Sequence, residues 1–182
     1  PVERPMSKTT VGEPAPLFFV ESSNNPRFAF HSTAGRYVVL SFIGSAGQTI
    51  GGKVAADWAK VAREFDSSRI AVCAVTADPE DRARGRIEES AAFLAFWDFD
   101  RAVAGLYGLL EPAPGGRGRV YNCRSVILDQ QLRMLAVGPM GAGKDHVKRV
   151  LKLLAQQPAW GGRAERIENW APVLQVPRIL EP

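Results

Sequence analysis

The residues best placed to do chemistry sit in one glycine-rich loop, Gly44-Ser45-Ala46-Gly47-Gln48-Thr49-Ile50-Gly51-Gly52. A loop of this kind aims backbone N–H groups and a helix N-terminus at one point, which suits an anion or a thiolate. Ser45, Gln48, Thr49 and Gly51 are its candidate ligand-binding residues, joined by Arg124 from later in the chain, and none of them is a strong nucleophile. Two stretches follow a phosphate-binding loop, Gly-x-x-x-x-Gly-Lys-Ser/Thr, up to its last position. Gly47 to Lys53 is followed by Val54, and Gly138 to Lys144 by Asp145, so both lack the hydroxyl that binds Mg²⁺. The plainer reading of each is a glycine loop entering a helix, with Asp145 as a cap or first-turn acid. Cys123 lies between Asn122 and Arg124, where a neighbouring cation favours the thiolate. Cys123 and Arg124 are therefore the candidate catalytic pair, against a plainer structural role for the thiol. Cys73, among Ile70, Val72 and Val75, reads as a small buried hydrophobe. The two histidines, His31 and His146, are too far apart in sequence to form a local Cys/His metal cluster, and no cofactor is expected.

The elements that must position this loop are legible on either side of it. Tyr37 to Ile43 is a continuous apolar run, the pattern of a strand buried on both faces. From Val54 the apolar positions fall at Val54, Ala55, Trp58, Val61, Ala62 and Phe65, which is helical spacing. Gly51 is expected to open that helix. Before the loop, Leu17–Val20 and Arg27–His31 read as short strands around an Asn24-Asn25-Pro26 turn. After it, Arg69–Thr76 is an apolar strand, and Asp78-Pro79 opens a charged helix running to about Glu89. Phe93–Trp97 reads as a strand, with Phe93, Phe96, Trp97 and Phe99 in the core or along a sheet edge. Asp100–Tyr107 is a short helix and Pro112–Gly118 a loop. Val120–Leu128 and Leu132–Val137 form a hairpin around Asp129-Gln130-Gln131, and Asp145 to about Gln156 is a helix. That last helix turns Val147, Val150, Leu151 and Leu154 inward and Lys144, Lys148 and Lys152 outward. The order β-β-β-α-β-α-β-α-β-β-α predicts an α/β protein with a mixed central sheet and helices on both faces.

Composition bounds the rest. A chain of 182 residues, 46% apolar, is long enough for one compact domain with a real core. Its formal charge of +4 is uneven: residues 1–112 carry 12 basic and 14 acidic side chains, residues 113–182 carry 11 and 5. The basic residues Lys144, Lys148, Arg149, Lys152, Arg117 and Arg119 have no aromatic side chains interleaved, so a solvated face is expected and nucleic acid is not. No apolar run approaches the roughly 20 residues that span a bilayer, and residues 1–8 lack a signal-peptide core. Two cysteines do not make a disulfide framework. A cytoplasmic protein without a membrane partner is the expectation.

Five short pieces, in this order, resemble the peroxiredoxins of the alkyl hydroperoxide reductase/thiol-specific antioxidant group. They are Gly12-Glu13-Pro14-Ala15-Pro16-Leu17-Phe18, Gly35 to Phe42, Val75-Thr76-Ala77-Asp78, Tyr107-Gly108 and Ser125-Val126-Ile127-Leu128-Asp129. The resemblance covers roughly residues 12–156 and implies a thioredoxin-like fold with its reactive site at the helix after the central strand. The family's reactive motif is Pro-x-x-x-Thr-x-x-Cys. Laid on this chain without gaps, it meets Gly44 at the proline, Gln48 at the threonine and Gly51 at the peroxidatic cysteine. The family's arginine falls at Cys123 or Arg124. The resemblance therefore implies a redox scaffold without its nucleophile, serving as a binding or partner module. The rival expectation is an unconventional thiol oxidoreductase using Cys123 beside Arg124.

Three segments are expected: a flexible lead-in (1–11), the domain (12–157) and a linker or tail (158–182). Ala171 to Pro182 is apolar and extended and is similar to the opening strand of a prolyl 4-hydroxylase-like, 2-oxoglutarate- and iron-dependent oxygenase. None of that family's iron ligands is carried by it. Val173, Leu174, Val176, Ile179 and Leu180 call for burial against this domain, a second copy or a following domain. A protein partner or following domain, and possible homodimerisation, are the partner expectations.

Overall fold

The structure is a computed structural model that describes residues 10–158. The expected lead-in up to residue 9, the tail from residue 159 and the oxygenase-like segment lie outside the described residues. Seven strands form one mixed sheet: β1 (Phe19–Ser22), β2 (Phe28–Ala29), β3 (Tyr37–Gly44), β4 (Ile70–Thr76), β5 (Phe93–Trp97), β8 (Arg124–Leu128) and β9 (Met134–Pro139). They lie in the order β2-β1-β5-β4-β3-β8-β9. A separate two-stranded ribbon pairs β6 (Leu110–Pro112) with β7 (Arg119–Tyr121). The helices are α1 (Thr49–Val61), α2 (Pro79–Ala83), α3 (Ala102–Leu106) and α4 (His146–Ala155).

β3 is central, parallel to β4 and antiparallel to β8, and Val38, Val39, Leu40, Phe42 and Ile43 are wholly buried. Such a strand has no solvent face, hence its unbroken apolar run. Alternation sends Val39 and Ile43 to one face, with Val54 and Trp58 of α1 and Val147, Val150 and Leu154 of α4. It sends Val38, Leu40 and Phe42 to the other, with Phe18, Phe30, Phe96 and Tyr107. Phe18 stacks on Phe30 at 4.4 Å between ring centroids and meets Phe96 and Tyr107 edge-on. Of the four aromatics expected in the core or along a sheet edge, Phe93, Phe96 and Trp97 are buried in the core and Phe99 packs partly buried against it.

Several boundaries differ from the sequence reading. Helix α1 begins at Thr49, so Gly51 lies in its first turn rather than opening it. The charged helix stops at Ala83 instead of Glu89, because Gly85 takes φ +58 and the Arg86 N–H turns back to the Asp81 carbonyl at 2.9 Å. Its start is as read: Asp78 Oδ1 accepts the Glu80 N–H at 2.9 Å and Pro79 is the first helical residue. The expected strand Val120–Leu128 is two strands in different sheets, with Asn122 and Cys123 between them. Arg27–His31 is a two-residue strand followed by a 3₁₀ turn over Phe30–Thr33, and the first strand lies at Phe19–Ser22. Asp145 precedes α4 at φ +58 without a side-chain cap; it pairs instead with Lys148 at 3.4 Å.

A chain of buried polar groups crosses the α1/α4 layer. Trp58 Nε1 donates to Ser41 Oγ at 2.9 Å, and Ser41 and Ser125 share a hydrogen bond of 2.8 Å. Ser125 Oγ lies 2.8 Å from His146 Nε2. A serine proton donated to Nε2 leaves the other ring proton on Nδ1, which faces the Pro139 carbonyl in a geometry short of a full hydrogen bond. Burial, with Arg149 nearby, holds the His146 pKa below the ordinary value. No helix among the described residues is long and apolar enough to cross a membrane.

Candidate functional site

The parallel strands β3 and β4 end side by side, and the loop after β3 closes over their carboxyl ends. Gly44 takes φ +72, and the Ser45 N–H returns to the Ile43 carbonyl at 2.8 Å, turning the chain sharply. The turn brings Ser45 Oγ to Asp78 Oδ2, to which it donates at 2.6 Å, while the Gly47 N–H donates to Ser45 Oγ at 3.0 Å. Asp81 is wholly buried on the next turn. Its Oδ2 accepts the Ala46 N–H at 2.7 Å and the Thr76 hydroxyl at 2.6 Å. Arg86 Nη1 completes the set, 3.0 Å from Asp81 Oδ1 and 3.1 Å from Asp78 Oδ2. Buried carboxylates persist only when their oxygens are matched in this way. The Ser45 hydroxyl, with further hydrogen bonding from Glu80 and the charge of Arg86, holds the Asp78 carboxyl below its usual range.

This clamp fixes one wall of a cleft of about 510 Å³. The other wall comes from Arg101, Val120, Tyr121 and Cys123. Arg101 precedes α3 in the left-handed conformation, φ +60, and its side chain has no hydrogen bond or ion pair among the described residues. Below the Tyr121 ring, the buried Asp98 accepts the Tyr121 hydroxyl and the N–H groups of Val103 (2.9 Å) and Ala104 (3.0 Å). Asp98 thus caps α3 and anchors the ribbon at once. Burial raises its pKa, against the pull of those three hydrogen bonds, and burial likewise raises that of Tyr121.

The structure separates the sequence candidates. Ser45 and Gln48 line the cleft. Thr49 is exposed in the first turn of α1 and is not part of the lining. Gly51 is buried and turned inward. A Cβ there would fall 2.6 Å from the Ile43 carbonyl oxygen and closer still to that of Ser45, so position 51 has no room for a side chain in this backbone. Gly52 donates its N–H to Gln48 within the helix, and Lys53 pairs with Asp57, so Gly47–Lys53 does not form a phosphate cradle.

Cys123 and Arg124 are not brought together. Cys123 faces the cleft, its Sγ 3.5 Å from the Ile43 carbonyl. Strand alternation turns Arg124 toward the face of Val126, away from Cys123, and its side chain makes no hydrogen bond or ion pair among the described residues. Of the two positions to which the family's arginine can fall, the one at the cleft holds the thiol. Burial pushes the Cys123 thiol up, with Glu111 adding to the effect. Cys73 is wholly buried, and its thiol is pushed up to about 12. No group of three or more metal-binding side chains occurs among the described residues.

Sequence reasoning missed the clamp of Thr76, Asp78, Asp81 and Arg86, and missed Arg101, Tyr121 and Asp98. The clamp left one trace, an acidic cap on a helix that begins where an apolar strand ends. Nothing in the spacing marks Arg101 or Tyr121, because the ribbon and α3 bring them in from distant chain positions.

Residues 11–133 match the AhpC/TSA family. Solved structures share the fold at low identity. The bacterioferritin comigratory protein of Xanthomonas campestris is 16% identical over 78% of this chain and 91% of its own, with a TM-score of 0.66. Peroxidoxin BcpB of Mycobacterium tuberculosis is 19% identical over 81% of this chain and 98% of its own, also at 0.66. The yeast mitochondrial 1-Cys peroxiredoxin is 15% identical over 81% of this chain and 78% of its own, at 0.60. No curated protein sequence matches the chain. Identities this low carry the thioredoxin-like peroxiredoxin fold and nothing of chemistry.

Proposed function

Because this chain belongs to the AhpC/TSA family, we propose that it is a peroxiredoxin-like domain whose reactive site has become a binding site. The cleft receives a small polar or anionic group, or a segment of a protein partner, and turns nothing over. One observation carries this reading: Gly51, where the family's nucleophile falls, is packed against two carbonyl oxygens and admits no side chain. Peroxide reduction needs a thiolate, and a thiol that stays protonated is a poor nucleophile. The rival reading, turnover at Cys123 beside Arg124, is disfavoured by the opposite directions of the two side chains and by the raised thiol pKa. The cleft supplies recognition groups instead, Arg101 without an ion pair among the described residues and the Gln48 amide, while the Ser45 and Tyr121 hydroxyls are held by Asp78 and Asp98. The tail then serves as a lead into a following domain, for which the oxygenase-like segment remains the motivation.

The test is an amide-shift titration of the full chain with inorganic phosphate and with acetate. Saturable shifts confined to Gln48, Arg101 and Tyr121, lost in Arg101→Gln, are expected. Linear, dispersed shifts that survive Arg101→Gln would remove the anion from the proposal, and a cleft equally silent toward partner peptides would remove the binding reading itself.

A further inference from the structure

At the amino ends of β3 and β4, opposite the cleft, lies a second depression of about 450 Å³. Tyr37, Phe65, Ile70, Leu154 and Ala155 give it apolar walls, and Glu64, Asp66 and Arg69 stand at its rim. Its last wall is the chain itself. Helix α4 ends at Ala155, and Gln157 and Pro158 continue along the groove. The Tyr37 hydroxyl donates to the Pro158 carbonyl at 2.8 Å, which pins the point where the described residues end.

We propose that Trp160 of this same chain fills the groove between α4 and the start of β4. Three observations select it over the apolar run 173–180 and over a second copy. Reach is the first: consecutive Cα atoms are about 3.8 Å apart, so Trp160 begins within about 8 Å of a residue that already lines the groove. A segment tethered that closely closes a minimal loop, whereas residues 173–180 must order a dozen more residues to arrive. Shape is the second. An indole supplies a large flat apolar surface with one polar edge, which suits a groove walled by Phe65, Ile70 and Leu154 with charged groups at its rim. Charge is the third. Beyond Gly161-Gly162 the chain carries Arg163 and Arg166, opposite in sign to Glu64 and Asp66, and Glu165 and Glu168, opposite in sign to Arg69. The Asp66 carboxyl is held below its usual range, chiefly by hydrogen bonds from Ser68, and so stays charged.

The docked indole would end the domain two residues beyond Pro158 and set the direction in which the tail leaves it. The groove is then a fixed anchor point for the tail.

The full chain labelled with 5-fluorotryptophan tests this, its four indoles (Trp58, Trp97, Trp160, Trp170) being assigned by single Trp→Phe variants. The expected result is a Trp160 fluorine resonance displaced from the free-indole position and insensitive to exchange of H₂O for D₂O. Ala155→Trp, which fills the groove from α4, should return it to the free position while Trp58 stays put as the reporter of folding. A Trp160 resonance at the free position in the unmodified chain overturns the proposal. So does a displaced resonance that Ala155→Trp leaves unmoved while Trp58 reports a native core. A displacement that disappears on dilution assigns the contact to a second copy and overturns it as well.

Discussion

The two ends of the β3/β4 pair are opposite in kind. At the carboxyl ends the loop 44–48 is tied down by buried polar groups that satisfy one another: Ser45 with Asp78, Ala46 and Thr76 with Asp81, and Arg86 with both carboxylates. At the amino ends Phe65, Ile70 and Leu154 border an apolar groove beside the departing chain. A hydrogen-bonded clamp holds a loop rigid because each unmatched buried group would be costly. An apolar groove holds nothing until something covers it. The first end is therefore finished within the domain, and Arg101 and Gln48 line its open cleft. The second asks for more chain.

Breaking the first end should have the largest effect. Gly51→Cys, which places a thiol where the family's motif has one, forces the new Cβ into the Ser45 and Ile43 carbonyls. Overpacking typically costs about 1–3 kcal/mol and occasionally more, and here the new atom meets backbone that cannot easily give way. The variant should melt well below the parent and gain no peroxide consumption; a stable, active variant would show that the loop opens readily. Asp81→Ala comes next. It strands the Ala46 N–H, which costs about 1–3 kcal/mol when left unpaired in the interior, while the Thr76 hydroxyl keeps the Gly44 carbonyl as acceptor at 3.1 Å. A fall in urea midpoint, with amide shifts concentrated in residues 44–48, is the expected signature.

That clamp marks where the sequence ceased to be readable. The β3 strand, the helical spacing of α1, the β5 strand at Phe93–Trp97 and the inward face of α4 were all legible, because burial on both faces or on one face leaves a period in the chain. Asp81 was not. It sits in a run of charged residues that reads as a solvated helix, and only the turn at Gly85 brings Arg86 back over it. Cys123 is harder to place for a related reason: the expected strand Val120–Leu128 hides a break at Asn122 and Cys123, where the chain passes from the ribbon into the main sheet. Side chains that meet through such breaks, among them Tyr121 with Asp98, carry no periodic signal.

Between the two ends, His146 sharpens the comparison by pH. Its folded pKa lies below the ordinary value, so its contribution to stability is fully present above about pH 6.5 and is lost as pH falls through the folded pKa. The loss is at most about 1.4 kcal/mol per pH unit. Subtracting the pH–stability curve of His146→Gln from that of the parent should leave this slope, whereas a flat difference would mean that the Ser125 contact is indifferent to the charge. The smallest effect belongs to the second end. Tyr37→Phe removes the hydrogen bond to the Pro158 carbonyl, worth about 0.5–1.5 kcal/mol, and should loosen the end of α4 in hydrogen exchange while leaving the cleft unchanged. Protection lost at residues 44–48 instead would show the two ends to be coupled.

The central claim, a peroxiredoxin-like cleft that binds without turnover, is tested most directly by hydrogen peroxide consumption with a thiol reductant in excess. Parent protein and Cys123→Ser are compared at equal concentration. Burial holds the Cys123 thiol protonated and Gly51 offers no nucleophile, so both should match the protein-free blank. Consumption at enzymatic rates by the parent, abolished in Cys123→Ser, would contradict the account and make Cys123 the nucleophile of a working peroxidase.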